Sequence, residues 1–160
     1  EKTPLYIASL NGHLEIVKVL IEKGADINKS NNYEKTPLYI ASLNGHLEIV
    51  KVLIEKGADI NKSNNYEKTP LYIASLNGHL EIVKFLIEKG ADINKSNNNG
   101  YTPIQIASSN GHLEVVKFLI EKNVDINKSN NYGDTPLHIA SSNGHLEVVK
   151  FLIEKGADIN

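Results

Sequence analysis

The sequence predicts an all-α solenoid of stacked helical hairpins, and three observations carry that prediction. Thr-Pro recurs at Thr3, Thr36, Thr69, Thr102 and Thr135, a constant step of 33 residues. Self-similarity at such a period marks an array of stacked units, not one globular core. Each unit contains a segment that is apolar around most of a helical circumference, and a helix of that kind needs cover on several sides. A run of turn-forming residues then leads to the next Thr-Pro. The units are residues 1–31, 32–64, 65–97, 98–130 and 131–160, read as a single repeat domain over 1–160, and residues 1–31 recur unchanged at 34–64.

The second unit shows how each element arises. The Thr36 hydroxyl can cap a helix, and Pro37 suits the first helical position, where its missing N–H is not needed. Leu38, Tyr39, Ile40, Ala41 and Ser42 continue that helix, and Asn44-Gly45 ends it, because Gly reaches the left-handed conformation without strain. A second helix is predicted from about His46 to Lys56, with Gly57 ending it in the same way. On this helix Leu47, Ile49, Val50, Val52, Leu53 and Ile54 are apolar, and Glu48, Lys51 and Glu55 form a narrow polar stripe. One unit cannot bury so much apolar surface, so the units must stack on one another.

Composition excludes several function classes. The formal net charge is −2 and every basic residue is Lys. That argues against nucleic acid as a partner, since the bidentate Arg fork is missing. There is no Cys, hence no disulfide and no thiolate chemistry. No apolar run approaches the roughly 20 residues of a membrane span, so no membrane partner is expected. The chain also lacks Met and is read as a segment of a longer array.

Candidate chemical motifs fall away on inspection. Asp26, Asn28 and Ser30 open like a calcium loop, but the required Gly and Glu positions hold Asn31 and Pro37. Their polar side chains are expected to bond local backbone instead. His13, His46, His79, His112 and His145 form a column, but stacked helices lie about 8–10 Å apart, too far for neighbours to share a zinc ion. Each is expected to bond a loop. Glu48, Lys51 and Glu55 recur in every unit as a solvated stripe with weak ion pairs. No phosphate loop or nucleophile elbow is present. No enzyme activity, cofactor or metal is expected.

Thr135-Pro136-Leu137-His138-Ile139-Ala140, followed by Gly144-His145-Leu146-Glu147-Val148-Val149 and Gly156-Ala157-Asp158-Ile159-Asn160, resembles the ankyrin repeat, whose period and signature are well defined. The resemblance covers the whole chain in five copies. It implies antiparallel helix pairs, β-hairpin fingers projecting at right angles, no shared catalytic activity, an intracellular and cytoplasmic location, and protein binding on the concave side. Departures exist. Tyr6, Tyr39, Tyr72 and Gln105 stand where the family places His. Tyr33-Glu34 and Tyr66-Glu67 replace the Asp-Gly finger turn. A non-Gly residue held at positive φ costs of order 1 kcal/mol or more, so either the strain is accepted or another turn is taken. Asn123 replaces the Gly after one helix.

In the family, contacts come from finger tips and the exposed end of the first helix. Carried onto this sequence, the partner-binding residues are Leu10, Tyr33, Lys35, Leu43, Asn44, Tyr66, Lys68, Leu76, Asn77, Tyr101 and Tyr132. The partner is an unidentified protein. Tyr is a frequent interface anchor, and a row of Leu and Tyr on a groove makes an apolar patch. The competing reading has these Leu packed between units and the Tyr merely solvated. Two other function classes stay open: a structural, self-stacking scaffold of natural or engineered origin, and an accessory domain of an enzyme that lies outside 1–160. Neither terminal unit carries a protective polar pattern, so weak end-to-end self-association is expected.

Overall fold

The computed structural model describes residues 1–160. Ten helices follow one another in pairs: α1 (Pro4–Asn11) with α2 (Leu14–Glu22), α3 (Pro37–Asn44) with α4 (Leu47–Glu55), and α5 (Pro70–Leu76) with α6 (Leu80–Glu88). The series ends with α7 (Pro103–Ser109) and α8 (Leu113–Glu121), then α9 (Pro136–Ser142) and α10 (Leu146–Glu154). There is no strand.

Threonine opens the first helix of each pair. The Thr36 and Thr69 hydroxyls accept the backbone N–H of Tyr39 and Tyr72 at 3.1 Å, which satisfies one of the orphan donors of the first turn. At Thr102 the neighbouring Gln105 takes part: its Oε1 accepts the Thr102 N–H at 2.8 Å. Gly45, at φ 78°, turns the chain into α4. Asn123 takes the same left-handed conformation, φ 59°, after α8, as the next-best residue for such a cap.

The odd-numbered helices pack more closely against one another than the even-numbered ones do. The stack therefore curves with α1, α3, α5, α7 and α9 along its inner side. The main core lies between the two rows and repeats with the sequence: Leu38, Ala41, Ile49, Val50 and Leu53 are buried, and so are Leu71, Ala74, Ile82, Val83 and Leu86. The polar stripe falls on the opposite, outer side, where exposed Glu48 and Lys51 pair at 3.1 Å, a contact of small energetic weight.

The fingers project as predicted, but as hydrogen-bonded turns without strand ladders. Asn31 N–H donates to the Lys35 carbonyl at 3.0 Å, and one backbone bond joins neighbouring fingers, such as Asn65 N–H to Tyr33 O at 3.3 Å. The two alternatives for the Tyr-Glu turns are resolved in favour of strain: Glu34 and Glu67 sit at φ 57° and 59°. The conformation persists because Asn31 Oδ1 accepts from both Tyr33 N–H and Lys35 N–H, at 2.9 and 3.1 Å. That side chain ties the turn at two points.

Candidate functional site

The inner face is built from the odd helices and the fingers that lean over them. Tyr39 and Tyr72, standing where the family places His, are buried along the ring. Their hydroxyls accept Asn64 Nδ2–H and Asn97 Nδ2–H, each at 3.2 Å. Each Asn belongs to the finger that follows, so each bond holds a finger base to the helix behind it. Gln105 does this work differently, donating from Nε2 to the carbonyls of Lys128, at 2.6 Å, and Asp134, at 3.2 Å. Asn130, the matching finger-base residue, is left with its Nδ2 buried and unpartnered.

Burial raises the Tyr39 hydroxyl pKa well above the usual tyrosine range, with nearby Tyr6 and Tyr72 adding to the effect. Tyr72 is pushed up to about 12, again mainly by burial, then by Tyr101, with the Asn97 hydrogen bond opposing.

Tyr39, Tyr72 and Ile73 form a second apolar cluster, separate from the main core, with Leu43, Leu76, Tyr101 and Ile106 half-buried around it. The predicted contact residues thus separate into layers. Tyr33, Tyr66 and Tyr132 stand on the finger tips, 61%, 58% and 67% exposed. Leu10, Leu43 and Leu76 are half-buried at the helix ends. Tyr101 is not on a tip; it packs into the apolar cluster, in the position that Lys35 and Lys68 hold in their units. Asn44 and Asn77 are exposed, and their amides donate back to Ile40 O and Ile73 O at 3.0 Å. Lys35 Nζ lies between two rings, 5.9 Å from the Tyr33 centroid and 5.7 Å from Tyr39. Lys68 repeats this with Tyr66 and Tyr72 at 5.8 and 5.7 Å, within cation–π range.

The histidine column is an inter-unit clamp. His46 Nε2–H donates to Leu10 O at 3.1 Å, His79 to Leu43 O at 3.0 Å, His112 to Leu76 O at 2.8 Å and His145 to Ser109 O at 2.9 Å. Each ring bonds not the expected loop but the last turn of the first helix in the unit before it. A Cβ built on Gly12 would lie 2.7 Å from the His46 ring, so that Gly makes room for the imidazole. No group of three or more His, Asp or Glu is placed to hold a metal ion. The Asp26 carboxylate bonds its own loop, accepting Asn28 N–H at 2.9 Å.

Sequence reading did not find the lysine between two rings, the Asn-to-Tyr hydroxyl ties or the reach of each His across a junction. Each Gly-His pair recurs at the repeat step, but the left-handed turn already accounts for the Gly, so the sequence does not show that a ring of the next unit lies over it. The Asn-to-Tyr tie joins residues 25 apart; both partners recur at the repeat step, but nothing local shows that they meet.

No helix is long and apolar enough to cross a membrane. No curated protein matches the chain. A family model described as ankyrin repeats, three copies, matches residues 1–64, 30–97 and 71–160. Proteins of that family generally mediate protein–protein interaction and are typically non-enzymatic. With ten helices in five pairs, Thr-Pro caps and projecting fingers under a family match that spans its length, this chain belongs to the ankyrin-repeat family.

Proposed function

We propose that the chain is a protein-recognition module that seats its partner along the inner helices and fingers. The contact residues are Tyr33, Lys35, Tyr66 and Lys68 on the fingers and Leu10, Leu43 and Leu76 at the helix ends, flanked by Asn44, Asn77, Tyr101 and Tyr132. The exposure of the tip tyrosines carries the reading. Tyr33 and Tyr66 present their rings to solvent beside the half-buried apolar cluster, and Tyr supplies large contact area at low entropic cost. An intracellular, cytoplasmic location belongs to this reading, as the ankyrin resemblance implies. The test is calorimetric titration of a partner, retrieved with this chain as bait, against the Tyr33→Ala/Tyr66→Ala/Leu43→Ala and Glu48→Ala/Lys51→Ala variants. The first set is expected to weaken binding by a factor of about ten or more. Equal losses in the two sets would refute the assignment of the face.

Self-stacking is the second reading, favoured by complementary end faces. Ile7, Ile16 and Val19 on the first pair are 44%, 52% and 54% exposed, whereas Ile40 and Ile49, the counterparts of Ile7 and Ile16, are 4% and 2% exposed and Val52, that of Val19, is half-buried. Leu146 and Ile153 on the last pair are 60% and 48% exposed. Every internal junction carries a His bond such as His46 Nε2–H to Leu10 O, and three of the four also carry one such as Asp59 N–H to Asn28 Oδ1. One face presents the donors, His13 and Asp26 N–H; the other presents the acceptors, Ser142 O and Asn160 Oδ1. A second copy of residues 1–160 could therefore continue the stack in a contact that does not close on itself. Sedimentation from about 10 μM to about 1 mM should show weak, concentration-dependent association. A strict monomer throughout would refute it.

A further inference from the structure

The inner face has a polarity that the general reading does not use. Lys2, Lys35 and Lys68 hold the same position in three successive units, and Tyr101 and Asp134 follow in the last two. None of the three lysines has a carboxylate within ion-pair distance, although six other pairs do form. The nearest carboxylate along the chain to Lys68 is Glu67, and it pairs instead with Lys95 at 3.1 Å. Lys35 and Lys68 are half-buried between a finger ring and a helix ring. Lysines also lie over Phe85, Phe118 and Phe151 on the outer row. What distinguishes Lys35 and Lys68 is that each lies within cation–π range of two rings, one from the finger and one from the helix, and that half-buried Leu43 and Leu76 line the helix end of the same groove; Lys2, at the first unit, is exposed.

We infer that this groove takes an acidic segment of a protein partner, laying carboxylates about 10 Å apart along Lys2, Lys35 and Lys68 and an apolar flank against Leu10, Leu43 and Leu76. This rests on the inner-face reading above and adds the chemical class of its ligand. The rings have already removed part of the water from Lys35 and Lys68 and limited their rotamers, so a carboxylate gains Coulomb energy with less ordering cost than at a free lysine. The spacing suits side chains seven apart on a helix, about 10 Å, or three apart on a polyproline II chain, about 9 Å. The polarity sets direction: the acidic end lies over the first three units, away from Asp134. Nucleic acid fits less well, because there is no Arg to form bidentate phosphate contacts, whereas Glu1, Glu34 and Glu67 beside the lysines oppose either kind of anion alike.

The test uses the whole 160-residue chain and two synthetic probes. One is a helical peptide with Glu at every seventh position beside a Leu stripe. The other is a proline-rich peptide of polyproline II form with Glu at every third position. Each is compared with a counterpart carrying Gln in place of Glu, in fluorescence titrations at low and high salt. At least one Glu probe should bind roughly ten-fold tighter than its Gln counterpart at low salt, a preference that salt erodes. Lys35→Gln/Lys68→Gln, checked for unchanged helical circular dichroism, should remove that preference. The inference is overturned if Glu and Gln probes bind alike, if the lysine variant keeps the preference, if neither Glu probe binds by about 1 mM, or if a single-stranded oligonucleotide binds tighter than the Glu probes. The two readings fail separately. Should Glu and Gln probes bind alike and Tyr33→Ala/Tyr66→Ala weaken both, the inner face stands and the acidic class falls. Should that variant leave the binding of both unchanged, both readings fall.

Discussion

His79 and Leu43 lie in successive units, and the imidazole Nε2–H of the one donates to the carbonyl of the other at 3.0 Å. The bond crosses the junction between stacked helix pairs, at the point where the Asn44-Gly45 turn leaves α3 with unpaired carbonyls. A side chain of one unit thus caps a helix of the unit before it, and the stack is joined by polar bonds as well as by apolar contact.

Replacing His79 by Ala should therefore destabilise the chain by about 1–2 kcal/mol, combining a lost hydrogen bond and a poorly filled space over Gly45. His13 makes no such bond in this chain, and His13→Ala should cost far less. Urea unfolding of the two variants side by side checks the difference. Equal costs would show that the ring acts within its own helix turn and not across the junction.

The finger turns offer a change in the stabilising direction. Glu34 sits at φ 57°, which costs an L-residue about 1–2 kcal/mol. Glu34→Gly should stabilise by up to about 1 kcal/mol after the extra chain entropy of Gly is subtracted. The reverse change, Gly100→Ala, should destabilise by more, because its Cβ would run into Asn131 on the next finger. Thermal melts of both variants read the signs.

Ser42 and Ser75 are completely buried in the main helix stack, and their hydroxyls have no partner. Removing an unsatisfied buried hydroxyl while keeping the Cβ takes away a desolvation cost. Ser42→Ala and Ser75→Ala should each be neutral or stabilising by up to about 1 kcal/mol, measured as urea midpoints. A clear loss in either would mean that the hydroxyl has a partner.

Tyr39 and Tyr72 link stability to alkaline pH. Both hydroxyls have pKa values raised above 10.0 by burial, Tyr72 to about 12. A group whose folded pKa lies above its unfolded value contributes stability that is complete below the unfolded value and is lost as pH rises toward the folded one. Stability should therefore fall from about pH 10 to about pH 12, with the last tyrosines ionising as the chain unfolds. Tyr39→Phe/Tyr72→Phe should flatten that fall. At neutral pH it should cost about 1 kcal/mol for each stranded Asn64 or Asn97 amide. Absorbance titration at phenolate wavelengths, followed alongside circular dichroism, checks both parts.

Most of this architecture was legible because its determinants are local and repeated. Thr36-Pro37 fixes a helix start, Gly45 and Gly57 fix two ends, and the apolar run from Leu47 to Ile54 demands neighbours on several sides. The finger conformation was less legible. Glu34 breaks the local preference for Gly, and although Asn31 recurs at Asn64, Asn97 and Asn130, nothing in the sequence separates its turn-holding side chain from the solvated Asn residues beside it. The candidate face was legible as positions but not as chemistry. Tyr33 lies three residues before Thr36 and Tyr101 one residue before Thr102, and only the folded finger makes the first offset a tip and the second part of the apolar cluster. Lys35 looks like any solvated charge until α3 brings the Tyr39 ring beneath it.

The recognition face is tested most directly by hydrogen–deuterium exchange on the complex between this chain and a partner protein. Protection is expected at the fingers around Tyr33 and Tyr66 and at the inner helix ends around Leu43 and Leu76, with no change on the segments that bear Glu48 and Lys51. Protection confined to α4 and α6, with the fingers exchanging as freely as in the unbound chain, would contradict the account.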